Sequence, residues 1–207
     1  MKHGPPFLTL EWDDALEKQD ATKSVLMASF TSAELWLYTH AHSVDLSRDL
    51  ICDLHRQLFS NVFPLLSGRV RHAGVGFDQP IAFGGMQGVH FRDLPDQLTT
   101  WDRQIRGFIA DLDRFFDEQS PTQHADDAVK VAAFTHRELT RMHPFVNGNG
   151  RTARLCVNYF AYRYGLQPLV VERDREDPTY IAAANDWLRY GNQEPFIAYL
   201  RQRMVRR

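Results

Sequence analysis

Along most of this chain apolar residues recur every third or fourth position, a period that predicts helices. The clearest series is Leu98, Trp101, Ile105, Phe108, Leu112 and Phe115, which with Pro95 near its start predicts an amphipathic helix facing a core. Leu10 to His42 carries the same period, interrupted near Asp20. Ser47 is placed to cap a helix reaching about Val62, with Leu50, Leu54, Leu58 and Phe59 on one face and Pro64 stopping it. From Asp126 to Met142 the spacing of Ala128, Val131, Ala132, Leu139 and Met142 predicts another, preceded by a turn over Ser120 to Gln123. Pro144 disfavours helical angles at His143 and ends it there. Arg151 to Tyr164 is apolar on two faces and reads as a buried helix closed by Gly165. Asp177-Pro178 opens a helix to about Tyr190, Gly191 closes it, and Glu194-Pro195 opens a last one. The period is lost between His72 and Arg92, where Gly74, Gly76, Gly84, Gly85 and Gly88 alternate with Val75, Phe77, Ile81, Phe83, Val89 and Phe91. That composition predicts a hairpin or loop.

A length of 207 residues, 43% hydrophobic and 24% charged, suits one globular domain over 1–207 with a sizeable core. Twenty-four Lys and Arg against 26 Asp and Glu give a formal charge of −2, so neither nucleic acid nor an anionic membrane surface is an expected partner. Met1 to Trp12 has no apolar run of signal-peptide length, and no stretch approaches the ~20 apolar residues a bilayer needs. A cytoplasmic location is expected. Cys52 and Cys156 fall in predicted helices without metal-ligand spacing and read as buried free thiols. No GxxxxGK[ST] or HExxH pattern occurs. The nine histidines are scattered, with His40, His42 and His136 read as surface or packing residues.

Chemistry therefore concentrates on one stretch, His143-Pro144-Phe145-Val146-Asn147-Gly148-Asn149-Gly150-Arg151-Thr152-Ala153-Arg154. Gly148 and Gly150 leave space for a guest, and the following helix opens with unpaired N–H groups and a positive dipole end, so the guest is an anion, phosphate being the obvious one. Arg151 and Arg154 lie in the first helical turn, where a cation is disfavoured by about 0.3–1 kcal/mol unless something negative offsets it. His143, at the other rim, has an ordinary pKa near 6.5 and can accept the proton of an attacking hydroxyl.

These residues resemble the motif of the Fic (filamentation induced by cAMP) family, His-x-Phe-x-(Asp/Glu)-Gly-Asn-Gly-Arg-x-x-Arg, at every specified position except Asn147. A second likeness lies in Leu54-His55-Arg56-Gln57-Leu58-Phe59 and Gly68-Arg69-Val70-Arg71, similar to stretches that often precede the Fic nucleotide site. The resemblance covers about residues 54–200. It implies an all-α fold with a short β-hairpin flap at about 72–92, whose extended backbone clamps a target segment by β-augmentation. The implied activity is transfer of AMP from ATP, with Mg2+, to a Ser, Thr or Tyr hydroxyl of a target protein. His143 is then the general base, Gly148, Asn149 and Gly150 form the anion hole, Arg151 holds phosphates and Arg154 neutralises the terminal one. Asn147 stands where the family places its acidic Mg2+ ligand. Tyr180, Asn185 or Trp187 would border the adenine, with no motif fixing which.

Two alternatives stay open. The related death-on-curing proteins share the loop and transfer phosphate, although they tend to carry Lys where this chain has Gly150. Asn147 also suits a catalytically weak Fic fold used as a binding module. The family's inhibitory pattern, (Ser/Thr)-x-x-x-Glu-(Gly/Asn), is missing, since none of the eight glutamates precedes Gly or Asn. A separate antitoxin, and a toxin role, follow as expectations.

Overall fold

The computed structural model describes residues 14–74, 78, 81–170 and 177–205. In chain order the elements are α1 (Asp14–Glu17), α2 (Asp20–His40), α3 (Arg48–Phe59), β1 (Ala82–Phe83), β2 (Met86–Gln87), α4 (Leu94–Arg114), α5 (Pro121–Met142), α6 (Asn149–Arg163), α7 (Pro178–Tyr190) and α8 (Glu194–Met204). The fold is all-α with one short hairpin, as the apolar period requires. The start of the Leu10–His42 segment, Val75, Gly76 and Phe77 of the hairpin region, and the charged loop before Asp177 lie outside the described residues.

Local chemistry sets the boundaries. Ser47 caps α3 by accepting from Leu50 N at 3.2 Å. Ser120, expected within a turn, instead caps α5 through Gln123 N at 3.2 Å, and Pro121 suits the first helical position, so α5 begins before Asp126. α3 ends at Phe59 rather than near Val62, and irregular turns carry the chain past Pro64. In the hairpin Ala82 faces Gln87 and Phe83 faces Met86, with Gly84 and Gly85 at φ 50° and 74°. Two consecutive positive φ values make the tight turn whose twist suits antiparallel strands.

α6 is the central element. Its residues Leu155 to Ala161 are all buried, because α5, α2 and α3 pack around it. α4 covers α5, and the α7–α8 pair closes against α5 from another side. Along α4 Ile109 is buried while Phe108 is 37% exposed, so the buried face includes Ile109 where the spacing pointed to Phe108. One cluster of buried residues runs from Leu26 to Met204 and includes Phe145 from the loop between α5 and α6. That loop is therefore bolted into the core. Cys156 is buried and Cys52 half-buried, both free thiols whose pKa is pushed up by burial, Cys52 to about 11. Among the described residues no helix is long and apolar enough to cross a membrane.

Candidate functional site: the loop between α5 and α6

α5 stops at His143, which adopts φ 50° and ψ 58°, a left-handed conformation rare for a residue with a Cβ. Several contacts hold it there. Arg71, 2% exposed, donates from Nε to His143 O at 2.8 Å and from Nη2 to Met142 O at 3.3 Å and Val89 O at 2.6 Å. Its own N–H donates to Pro144 O at 2.8 Å. One guanidinium thus satisfies carbonyls that the end of α5 leaves without helical partners, and ties them to the segment after the hairpin.

The imidazole is fixed as firmly as the backbone. His143 Nδ1 lies 2.7 Å from Thr140 O, so Nδ1 carries the proton and Nε2 carries the lone pair. The Phe83 ring from β1 stacks on it with centroids 3.9 Å apart and planes 6° from parallel. Gly88 passes so close that a Cβ there would sit 2.9 Å from His143 Cβ. Burial pushes the His143 pKa down to about 4, with Arg71 adding to the effect and the Thr140 hydrogen bond opposing it. The ring is a neutral base at physiological pH.

The glycine turn follows. Gly148 precedes α6 at φ 77°, and a Cβ there would lie 2.3 Å and 2.5 Å from ring carbons of Phe59. Asn149, assigned to the anion hole with Gly148 and Gly150, uses its carboxamide internally. Phe145 N donates to Asn149 Oδ1 and Asn149 Nδ2 donates to Phe145 O, both at 2.9 Å. The side chain is a staple, and the backbone N–H groups opening α6 are what an anion would meet. Asn147 is likewise turned into the loop, its Oδ1 accepting from Gly148 N at 2.6 Å. Its backbone O accepts from His55 Nε2 at 3.0 Å, while His55 Nδ1 accepts from Gly68 N at 2.8 Å. His55 is 1% exposed, stacks on Phe145 at 3.9 Å, and has its pKa pushed down to about 3 by burial.

No group of three His, Cys, Asp or Glu capable of holding a metal occurs among the described residues. Asn147 offers one neutral oxygen, already engaged, whereas Mg2+ usually takes one or two carboxylates together with substrate phosphates. These residues do not by themselves fit a Mg2+ site.

Both motif arginines line a cavity of about 650 Å3 between α2 and α6. Arg151 stacks over Phe59 at 4.6 Å and forms an ion pair at 2.7 Å with Glu17 of α1, both side chains being largely buried. The negative partner that a cation at a helix start calls for is thus within the chain. Glu17 is followed by Lys18 and so lies outside the pattern Glu-(Gly/Asn) that would have marked it in the sequence. Arg154 lies over the Tyr180 ring, 5.9 Å from its centroid. The structure brings His143, Asn147 to Gly150, Arg151 and Arg154 onto one loop and helix start, as the motif spacing requires. Glu17, Phe83 and Arg71 were missed as contributors. Arg71 and His55 sit in the stretches of second likeness, which was the available signal.

The Fic/DOC family model matches residues 45–161, from just before α3 through most of α6, more than half of the 207 residues. A protein of Nematostella vectensis, "Protein adenylyltransferase Fic", is 29% identical over 160 residues, covering 76% of this chain and 32% of that protein. The chain thus spans about a third of the length of that relative. Among solved structures, Fic-1 (residues 134–508) of C. elegans superposes with a TM-score of 0.61 at 24% identity, covering 90% of this chain and 50% of that one. BepC of Bartonella tribocorum with bound AMPPNP gives a TM-score of 0.55 at 15% identity, with 90% and 89% covered. The shared fold, the loop that carries the motif and the match across most of α3 to α6 lead to one conclusion: the chain belongs to the Fic/DOC family.

Proposed function

We propose that this chain, as one Fic-type domain over 1–207, transfers AMP from ATP to a Ser, Thr or Tyr hydroxyl of a target protein. The observation that carries the reading is the tautomer of His143. With Nδ1–H committed to Thr140 O, Nε2 is left as the proton acceptor of a residue that opens the loop whose glycine turn leads into α6, and a helix start suits a phosphate. In the reaction the target hydroxyl oxygen attacks the α-phosphorus, its proton passes to His143 Nε2, and the bond to the departing pyrophosphate breaks. Arg151 holds phosphates and Arg154 neutralises the charge that builds on the leaving group. Mg2+ belongs to this reading as an ion that arrives on the nucleotide. The hairpin at 82–87, within the flap of 72–92, presents extended backbone to the target.

The name of the Nematostella relative supports the adenylyl group, and the AMPPNP of the Bartonella structure supports a nucleotide on this fold. The reading places the protein in the ATP-containing cytoplasm, as a toxin held by a separate antitoxin, so that expression alone impairs growth in a His143-dependent way.

The test is incubation of the pure protein with labelled ATP, Mg2+ and a cell lysate, followed by mass analysis of modified peptides. AMP should be added by the parent and not by a folded His143→Ala variant; retention of the parent rate by that variant refutes the reading. Addition of phosphate alone would instead indicate death-on-curing chemistry. A second reading, a weak enzyme serving as a binding module, is favoured by the engaged Asn147 oxygen. Under it Asn147→Asp should sharply lower the Mg2+ concentration for half-maximal transfer, and an unchanged metal dependence counts against it.

A further inference from the structure

We propose that Arg189 of α7 is a positioning residue for His143: it holds the carbonyl at the tip of the β1–β2 hairpin and so keeps the Phe83 ring stacked on the imidazole. Arg189 belongs neither to the loop between α5 and α6 nor to its motif. The proposal rests on the reading of His143 as the general base.

The hairpin cannot hold itself. Ala82 pairs with Gln87 and Phe83 with Met86, and a two-stranded ribbon of that size is marginal in water. At its base it is tied by Gly88 N, which donates to Ile81 O at 2.9 Å, and by Arg71 Nη2, which donates to Val89 O at 2.6 Å. At its tip the tie comes from α7, where Arg189 Nη2 donates to Gly84 O. The donor is a cation, which strengthens a hydrogen bond to a carbonyl. Asn185 and Arg189 are four apart and share one face of α7, and the glycine turn lies against both. A Cβ on Gly84 would sit 3.4 Å from Asn185 Oδ1, and one on Gly85 would sit 3.0 Å from Arg189 Nη2. The two glycines thus serve the turn and also let α7 come this close.

α7 is a fixed post. Asp177 caps its start through Thr179 N at 2.9 Å and Tyr180 N at 3.3 Å, and the other oxygen of Asp177 accepts from Tyr199 OH at 2.9 Å. Trp187, two residues before Arg189, is buried and packs on Phe196 of α8 with centroids 6.3 Å apart. Phe83 adjoins the held Gly84, so the tie reaches the stacked ring through one peptide unit. An imidazole held at one nitrogen, as His143 is by Thr140 O, can still tilt about that hydrogen bond. A ring lying parallel on its face, 3.9 Å away, removes the tilt. The same cover shuts water from that face, in keeping with a His143 pKa lowered by burial and, to a lesser degree, by Arg71.

The alternative is that Arg71 and Gly88 hold the hairpin without help from α7. NMR of the nucleotide-free chain decides, because protons above the face of an aromatic ring resonate upfield, and the His143 ring lies over Phe83. Phe83→Ala sets the unstacked positions. Arg189 is exposed, so Arg189→Ala leaves the core intact. Loss of one hydrogen bond from a charged donor, roughly ten-fold in an equilibrium, should turn a marginal hairpin from mostly stacked to mostly lifted. The His143 ring protons of Arg189→Ala should therefore move more than halfway to their Phe83→Ala positions, and the His143 titration midpoint should rise in both variants as water reaches the ring. In the Phe83→Ala background Arg189→Ala should add nothing. Calorimetric ATP affinity should be unchanged in Arg189→Ala, since the tie lies outside the anion site. Ring protons that stay in place in Arg189→Ala overturn the proposal, as does a loss of ATP affinity without their movement, which would assign Arg189 to the nucleotide. Moved ring protons together with AMP transfer by His143→Ala would uphold the positioning and remove the reading of His143 as base.

Discussion

If Arg151 holds the nucleotide's phosphates as proposed, its ion pair with Glu17 makes nucleotide and chain compete for one guanidinium. The contact is 2.7 Å long and the two side chains are only 15% and 16% exposed. At an effective dielectric of about 20 the gross attraction is roughly 6 kcal/mol, of which desolvation and side-chain ordering offset the larger part. Hydrogen bonds to charged groups contribute about 1.5–3 kcal/mol net. A phosphate that replaces Glu17 at Arg151 forgoes that amount, so Glu17→Ala should raise ATP affinity at least about ten-fold, 1.4 kcal/mol being a factor of ten. Calorimetric titration of the parent, Glu17→Ala, Arg151→Ala and the double variant measures it. The gain should vanish in the Arg151→Ala background, because the competition then has no object. ATP affinity in Glu17→Ala within two-fold of the parent, with a fold unchanged by circular dichroism, would show that Arg151 serves Glu17 and not the nucleotide.

Three other outcomes are expected. Because the folded His143 pKa is about 4, transfer should stay nearly flat from pH 7 to 5, where a base of pKa 6.5 would lose almost all activity; a loss centred near 6.5 contradicts the buried, neutral ring. His55 and His136 have folded pKa values near 3, below the ordinary 6.5, so the unfolded chain binds more protons in acid and stability falls as pH drops through that window. Each contributes a loss of about 2 kcal/mol by pH 5, and urea unfolding at pH 7.5 and 5 should show His136→Gln losing correspondingly less than the parent. Gly148→Ala should destabilise by about 2–4 kcal/mol, from its φ of 77° together with the clash on Phe59, and a melting temperature equal to the parent's would contradict the geometry.

What was legible in the sequence followed from short-range rules. Ser47, Asp177-Pro178, Gly191 and Pro144 act on their own neighbours, and helix ends set by them were placed within a few residues. The motif residues likewise fall within one loop and one helical turn, so spacing alone brings them together. What was not legible is long-range. Glu17 reaches Arg151, and Arg71 reaches His143 O, from distant parts of the chain, and no period or cap encodes such contacts. Asn149 and Asn147 show a subtler limit. Their positions were read correctly, but the amides turn back onto Phe145 and Gly148, because a tight loop in a buried setting must satisfy its own backbone before it serves a ligand.

Three histidines make the same point about chemistry. His55, His136 and His143 are all buried enough to be held neutral, and by pKa alone none is singled out as the base. Their nitrogens separate them. His55 has both committed, one accepting from Gly68 N and one donating to Asn147 O, so it can hold the loop but cannot take a proton. His136 has its Nε2 closed by a buried phenol, the Tyr180 hydroxyl 2.5 Å away. His143 donates at Nδ1 to Thr140 O, which leaves Nε2 as its proton-accepting nitrogen. Under the proposed function proton acceptance belongs to the ring whose second nitrogen the fold leaves open, while His55 holds the loop at Asn147 O and His136 holds the Tyr180 hydroxyl.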